Sequence, residues 1–222
     1  MLDIRQFAEE YIRTKLCKDE DFKKDRYKDE LALTAIIETG MDRAKREKSL
    51  LKWLNDYRVL RSFPREKSQE IASQIIEFAD EPRQARLPKD SLIPEYARLR
   101  ERIRQVAPRS PKTGKLREVT SLTSKALWCC YPYDVPIFDN YALRALQVIS
   151  RLCHMATSQG NNSDDESKEY ARFVDVWLQV YDEVKPVIDV ASLDGYAYKV
   201  RVLDRLLWYL GQTNFDSSNA NT

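Results

Sequence analysis

Apolar residues recur at intervals of three and four along almost the whole of this 222-residue chain. That spacing puts them on one face of an α-helix, not on alternate sides of a strand. Ile4, Phe7, Ala8, Tyr11 and Ile12 begin the pattern, and a charged stretch (18–30) leads into Leu31, Leu33, Ile36 and Ile37. Leu50, Trp53, Leu54 and Tyr57 form the next stripe. Pro64 opens a helix that carries Ile71, Ile75, Ile76 and Phe78 and stops before Pro82. Residues 81–94, with three prolines, read as a loop, and Tyr96, Leu99, Ile103 and Val106 line a helix ending at Pro108. Further helices are expected from about Ser121 to Tyr131, from Asp139 to about Met155, through Phe173, Val176, Trp177 and Val180, and through Val200, Leu203, Leu206 and Leu207. Five glycines and nine prolines are too few for a turn-rich β fold. The expected class is therefore all-α: a compact bundle of eight or nine helices over residues 1–211, in one lobe or in two with a cleft between them. Residues 212–222 are expected to be a disordered tail.

No run of 18 apolar residues exists, so no membrane span or membrane partner is expected. The N-terminus is charged from Asp3 onward and lacks the apolar core of a signal peptide, which points to a cytoplasmic protein. Cys17, Cys129, Cys130 and Cys153 form no C-x-x-C pair, and His154 is the sole histidine. Neither a zinc site nor an iron–sulfur loop has its ligand spacing, so no metal and no cofactor is expected. His154 reads as a helix-face residue, and Trp53, Trp128, Trp177 and Trp208 read as core.

The near-neutral total hides an uneven distribution. Arg98, Arg100, Arg102, Arg104, Arg109, Lys112, Lys115 and Arg117 are opposed between 98 and 117 by Glu101 alone. Such a block suits a polyanion. It also suits a solvated helix face followed by a surface loop, because arginines two apart do not share one side of a helix.

Lys125 and Asp139 are the candidates for chemistry. Lys125 follows the hydroxyls of Ser121, Thr123 and Ser124 near a helix start and precedes Ala126, Leu127 and Trp128. A helix dipole and an apolar setting both disfavour the charged amine, which is one route to a nucleophilic lysine. Asp139 follows Pro136, Ile137 and Phe138 and heads the next helix, where it is equally suited to be an N-cap.

The run Ser121-Leu122-Thr123-Ser124-Lys125-Ala126, followed by Val135-Pro136-Ile137-Phe138-Asp139-Asn140, resembles the catalytic segment of the helix-hairpin-helix DNA glycosylase superfamily. About thirty residues carry the resemblance. Ser-Leu-Thr-Ser stands where the family's hairpin has glycines, so the hydroxyls of Ser121, Thr123 and Ser124 take the place of backbone amides that approach phosphate. The chain is also similar to divergent bacterial defence glycosylases that act on modified phage bases.

The resemblance implies double-stranded DNA as partner, a flipped base, and cleavage of its N-glycosidic bond. Asp139 would stabilise the oxocarbenium-like sugar. Lys125 would either form a Schiff base or contact phosphate. Arg58, Arg109, Lys112, Lys115 and Arg117 are candidates for DNA binding, and Tyr57, Tyr131 and Tyr133 for stacking on a base. The alternative is a non-catalytic helical module that binds nucleic acid or a protein.

Overall fold

The computed structural model describes residues 3–16, 20–37, 40–110, 112–153, 166–191 and 196–216. The chain is all-α, with nine α-helices and no strand among the described residues. They are α1 (Ile4–Tyr11), α2 (Glu20–Ile37), α3 (Arg43–Asp56), α4 (Arg65–Asp80), α5 (Lys89–Val106), α6 (Thr120–Cys130), α7 (Asn140–Cys153), α8 (Glu166–Val190) and α9 (Lys199–Asp216). No described helix is long and apolar enough to cross a membrane. Cys17 and His154 lie outside the described residues, as does the end of the expected tail. The part of that tail from 212 to 216 belongs to α9.

Two compact units divide the chain: Met1–Phe22 with Pro136–Thr222, and the inserted Lys23–Val135. In the first, the Asp3 carboxylate caps α1 by accepting from the amides of Arg5 and Gln6 at 3.0 and 3.1 Å. Ile4, Ala8 and Tyr11 then turn inward. Helix α1 packs on α8, where Arg5 reaches Glu183 at 2.7 Å, and the Tyr11 ring meets Tyr209 of α9 at 5.1 Å.

Helices α7 and α9 approach closely because position 211 has no side chain. A Cβ on Gly211 would press into the Tyr141 backbone, with the carbonyl oxygen nearest, the carbonyl carbon at 2.6 Å and Cα at 2.8 Å. Backbone cannot step aside as a flexible side chain can. Gly211→Ala is therefore expected to cost on the order of 2 kcal/mol despite the better helix propensity of alanine. Urea unfolding would show this as a lower midpoint at unchanged slope, and an unchanged midpoint would mean that the two helices part freely.

In the inserted unit, Asp42 caps α3, and Leu50, Trp53 and Leu54 face inward. Helix α4 buries Ile71, Ala72, Ile75, Ile76, Phe78 and Ala79 and packs on both α3 and α5. From Glu20 onward the charged stretch before Leu31 is part of α2, with an Arg26–Glu30 pair one turn apart at 3.1 Å. One expectation needs correction here. The loop expected over 81–94 is shorter, because α5 starts at Lys89 and contains Pro94. That proline lies in the second turn, so the carbonyl that loses its partner is that of exposed Asp90, within reach of water.

Helix α3 ends in a tight cap. The Arg58 amide donates to the Asn55 carbonyl at 2.8 Å and the Val59 amide to the Leu54 carbonyl at 3.1 Å. This cap needs a left-handed residue, and Arg58 fills it at φ 57°. Glycine avoids the steric cost of that conformation but loses more chain entropy on folding. Arg58→Gly is expected to stabilise by roughly 0.5–1 kcal/mol, seen as a higher melting temperature.

Candidate functional site

Asp139 stands on a fixed pedestal in the first unit. The three residues before it are buried, and each is held. The Tyr170 hydroxyl donates to the Pro136 carbonyl at 2.9 Å. The Ile137 amide donates to Asp204 Oδ2 at 3.2 Å, and Phe138 meets the Phe173 ring edge-on at 5.1 Å. Asp204 is itself buried, and its Oδ1 accepts from Trp177 Nε1 at 3.0 Å. With the backbone so fixed, the Asp139 carbonyl accepts from the Leu143 amide and the Asp139 carboxylate from the Tyr141 amide, both at 2.8 Å. The side chain is thus an N-cap that remains partly exposed.

Beside this helix head lies a half-exposed aromatic and cationic cluster. The Tyr141 and Trp208 rings meet edge-on at 6.1 Å. Arg144 lies 5.9 Å from the Tyr141 ring centre and Arg205 5.7 Å from that of Trp208. Trp208 is 36% exposed, so it is not the core residue its apolar neighbours suggest. Residue 208 falls just outside the inward arc of α9 drawn by Val200, Leu203, Asp204 and Leu207. Rings backed by guanidinium groups are what a base and its phosphate can use.

Lys125 belongs to the inserted unit. Ten of the eleven residues of α6 are buried, Ser121 being the half-buried exception. Lys125 is 4% exposed, and its Nζ donates to Ser121 Oγ at 2.8 Å. The Ser124 hydroxyl donates to the Ser121 carbonyl at 3.1 Å. Ser124 and Thr123 are fully buried, which removes them from any phosphate-facing surface, and the Thr123 hydroxyl has no partner among the described residues. Burial pushes the Cys130 thiol up to about 12, so it is a protonated, inert group at neutral pH. No group of three His, Cys, Asp or Glu side chains among the described residues is placed to hold a metal ion.

The basic block separates into two parts. Arg98 and Arg102 both bind Glu81, Arg98 also binds Glu95 at 2.6 Å, and both lie over the Phe78 ring. The hydrogen bond from Arg98 holds the Glu81 carboxyl below its usual range, with Arg102 adding to it against a desolvation cost. This half fastens α4 to α5 instead of facing a polyanion. The other half is a tight hairpin closed by an isolated bridge between Arg109 and Leu116, with Gly114 at φ 67°. It leaves Arg109, Lys112 and Lys115 exposed, and neither lysine has an ion pair among the described residues. Arg117 lies over the Phe63 ring at 5.6 Å, and its Nε is buried with no partner among the described residues.

The remaining candidates divide in the same way. Tyr57 packs on Trp53 at 4.6 Å, and its hydroxyl donates to Asp29 at 2.9 Å, so it braces the core. Tyr131 is 4% exposed and is likewise a core ring, not a surface for a base. Tyr133 remains 42% exposed, under Arg86 at 5.4 Å, and Arg86 is clamped to Asp134. Arg58 is exposed at the α3 cap.

Asp204, Tyr170 and Tyr141 went unnoticed in the sequence, and Trp208 read there only as core. Asp204 carries a readable signal, a lone carboxylate in phase with the apolar stripe of α9. No family model matches the chain, and no curated protein or solved structure matches it either.

Proposed function

We propose that this protein is a DNA glycosylase that releases a damaged or modified base, modified phage DNA included, in the cytoplasm. The observation that supports the reading most is the Asp139 pedestal: a partly exposed carboxylate at a helix head, beside rings and guanidinium groups able to hold a nucleotide. The C1′–N bond breaks with its electron pair leaving on the base, which takes a proton from solvent. The sugar becomes oxocarbenium-like, and the carboxylate stabilises it. Water then bonds to C1′ and passes its proton to Asp139. The part-exposed acid, and not the buried Lys125 amine, faces solvent, so hydrolysis is the step assigned. Lys125, 4% exposed with its Nζ donating to Ser121, is given no part in that step.

The test is to incubate the protein with DNA bearing modified and unmodified bases and to count abasic sites, with borohydride present in a parallel reaction. Abasic sites without a trapped adduct are expected. No abasic site on any substrate would end the reading. A second reading, a nucleic-acid-binding module without catalysis, is favoured by the exposed Arg109, Lys112 and Lys115 hairpin. It predicts salt-dependent retention on DNA that is lost on charge reversal at Lys112 and Lys115, with no product formed.

A further inference from the structure

Helices α7 and α9, both in the first unit, expose an aromatic face beside the Asp139 helix head. Tyr141 and Trp208 lie on it, 38% and 36% exposed. Their rings meet at 6.1 Å with an interplanar angle of 82°. Gly211 is what brings them together: with no Cβ at that position, α9 presses onto the Tyr141 backbone. Single exposed apolar residues are ordinary on a protein surface. Two adjacent large rings on closely packed helices are not, and they mark an interaction site.

The charge around these rings has one sign. Helix α7 carries Arg144 and Arg151 and no acid, and from Lys199 to Gln212 the one acid of α9 is the buried Asp204. Arg144 sits 5.9 Å from the Tyr141 ring centre and Arg205 5.7 Å from that of Trp208. Arg205 shares a side of α9 with Trp208 and the half-buried Tyr209, being three and four residues away. Exposed Lys15 lies 5.9 Å from the Tyr209 ring centre. The rings supply a stacking surface, and the cations beside them set the sign of the potential that an approaching phosphate meets. An acidic peptide would answer the charge and leave both rings in water. A strand of nucleotides uses both. In a duplex each base face is covered by its neighbours, so these rings can stack only on unpaired bases.

We infer that the α7–α9 face binds single-stranded DNA, with unpaired bases stacked on Trp208 and Tyr141 and phosphates toward Arg144 and Arg205. The inference rests on the glycosylase reading for the chemistry beside the face, and it names the substrate of that site: an unpaired stretch, in place of the duplex that the family resemblance implies. Tyr141 ties the face to the chemistry, because its amide donates to the Asp139 carboxylate at 2.8 Å. A strand lying on the rings therefore passes the acid. Stacking accepts every base, so the face sets strandedness and not sequence.

The experiment is fluorescence anisotropy of the full chain with a labelled single-stranded DNA oligonucleotide of about twelve nucleotides and with the blunt duplex of the same sequence. The single strand is expected to bind at least about tenfold more tightly than the duplex, and more weakly as salt rises. Trp208→Ala and Tyr141→Ala should each weaken the single strand about tenfold, and Trp208→Phe and Tyr141→Phe should keep most of the affinity, with melting curves confirming that all four fold. Trp208 is the exposed one of the four tryptophans, so the strand should quench part of the indole emission, and Trp208→Phe should abolish that quenching. No saturable binding of the single strand overturns the inference. So does a duplex that binds equally well, or binding indifferent to both alanine variants. A dimer that Trp208→Ala disperses, with no oligonucleotide bound, gives the face to a second copy and overturns it too. Abasic sites counted on duplex DNA without single-strand binding would sink this inference alone. Single-strand binding that depends on both rings, with no abasic site on any substrate, would uphold the binding face and end the glycosylase reading.

Discussion

Asp139→Asn is expected to lower base release at least about a hundredfold while the protein stays folded. The two halves of that expectation have separate physical grounds. Asparagine caps a helix about as well as aspartate, and its amide oxygen can accept from the Tyr141 amide as the carboxylate does at 2.8 Å. The melting temperature should therefore move little. The amide carries no charge to set against an oxocarbenium-like sugar and is no base for the attacking water, so the transition state loses its main electrostatic support. Asp139→Ala separates the roles further. It removes the charge and also the cap, adding a stability loss of about 1 kcal/mol that Asp139→Asn lacks. Abasic-site counts on a confirmed substrate, with circular dichroism on the same samples, read both. Undiminished release by a folded Asp139→Asn protein would strike this carboxylate from the mechanism.

Helix class was legible in the chain because the three-and-four spacing of residues such as Leu50, Trp53 and Leu54 is a local property, and burial follows from it. The start of α5 was not legible, because Pro94 normally argues for a loop. What tolerates it is its distance from the exposed helix start, which composition does not report. Trp208 misled for a related reason: its neighbours are apolar, but one step around α9 takes it from the core to the surface. The basic block was visible as a number and not as a field. Glu81, at least seventeen residues away in sequence, takes up Arg98 and Arg102, and only the α4–α5 packing reveals it. Asp139 was readable as a helix head. The network that holds it was not, since Tyr170 and Asp204 reach it from helices that begin well downstream.

Asp204→Ala is expected to be the most damaging single change to stability, and it tests that network. The carboxylate is 3% exposed and accepts from two donors, the Trp177 indole and the Ile137 amide. Alanine leaves both buried without that acceptor. At about 1–3 kcal/mol for each such donor, the loss is roughly 2–6 kcal/mol, a large share of what holds a domain of this size together. Denaturant unfolding should show a large fall in midpoint. Asp204→Asn is the informative companion, because one amide oxygen of nearly the same shape can serve one donor, while the amide N–H groups oppose the other. An intermediate loss is expected. If the Ile137 bond fixes the pedestal, the Asp204→Asn protein should also release base more slowly under conditions where it is fully folded, by its effect on where Asp139 sits. Asp204 touches no substrate in this account, so the loss should appear with the fold intact and with the remaining activity still dependent on Asp139. A folded Asp204→Asn protein of unchanged stability would show that the two bonds contribute nothing measurable, and the pedestal would then rest on the Tyr170–Pro136 hydrogen bond and the packing of Phe138 on Phe173.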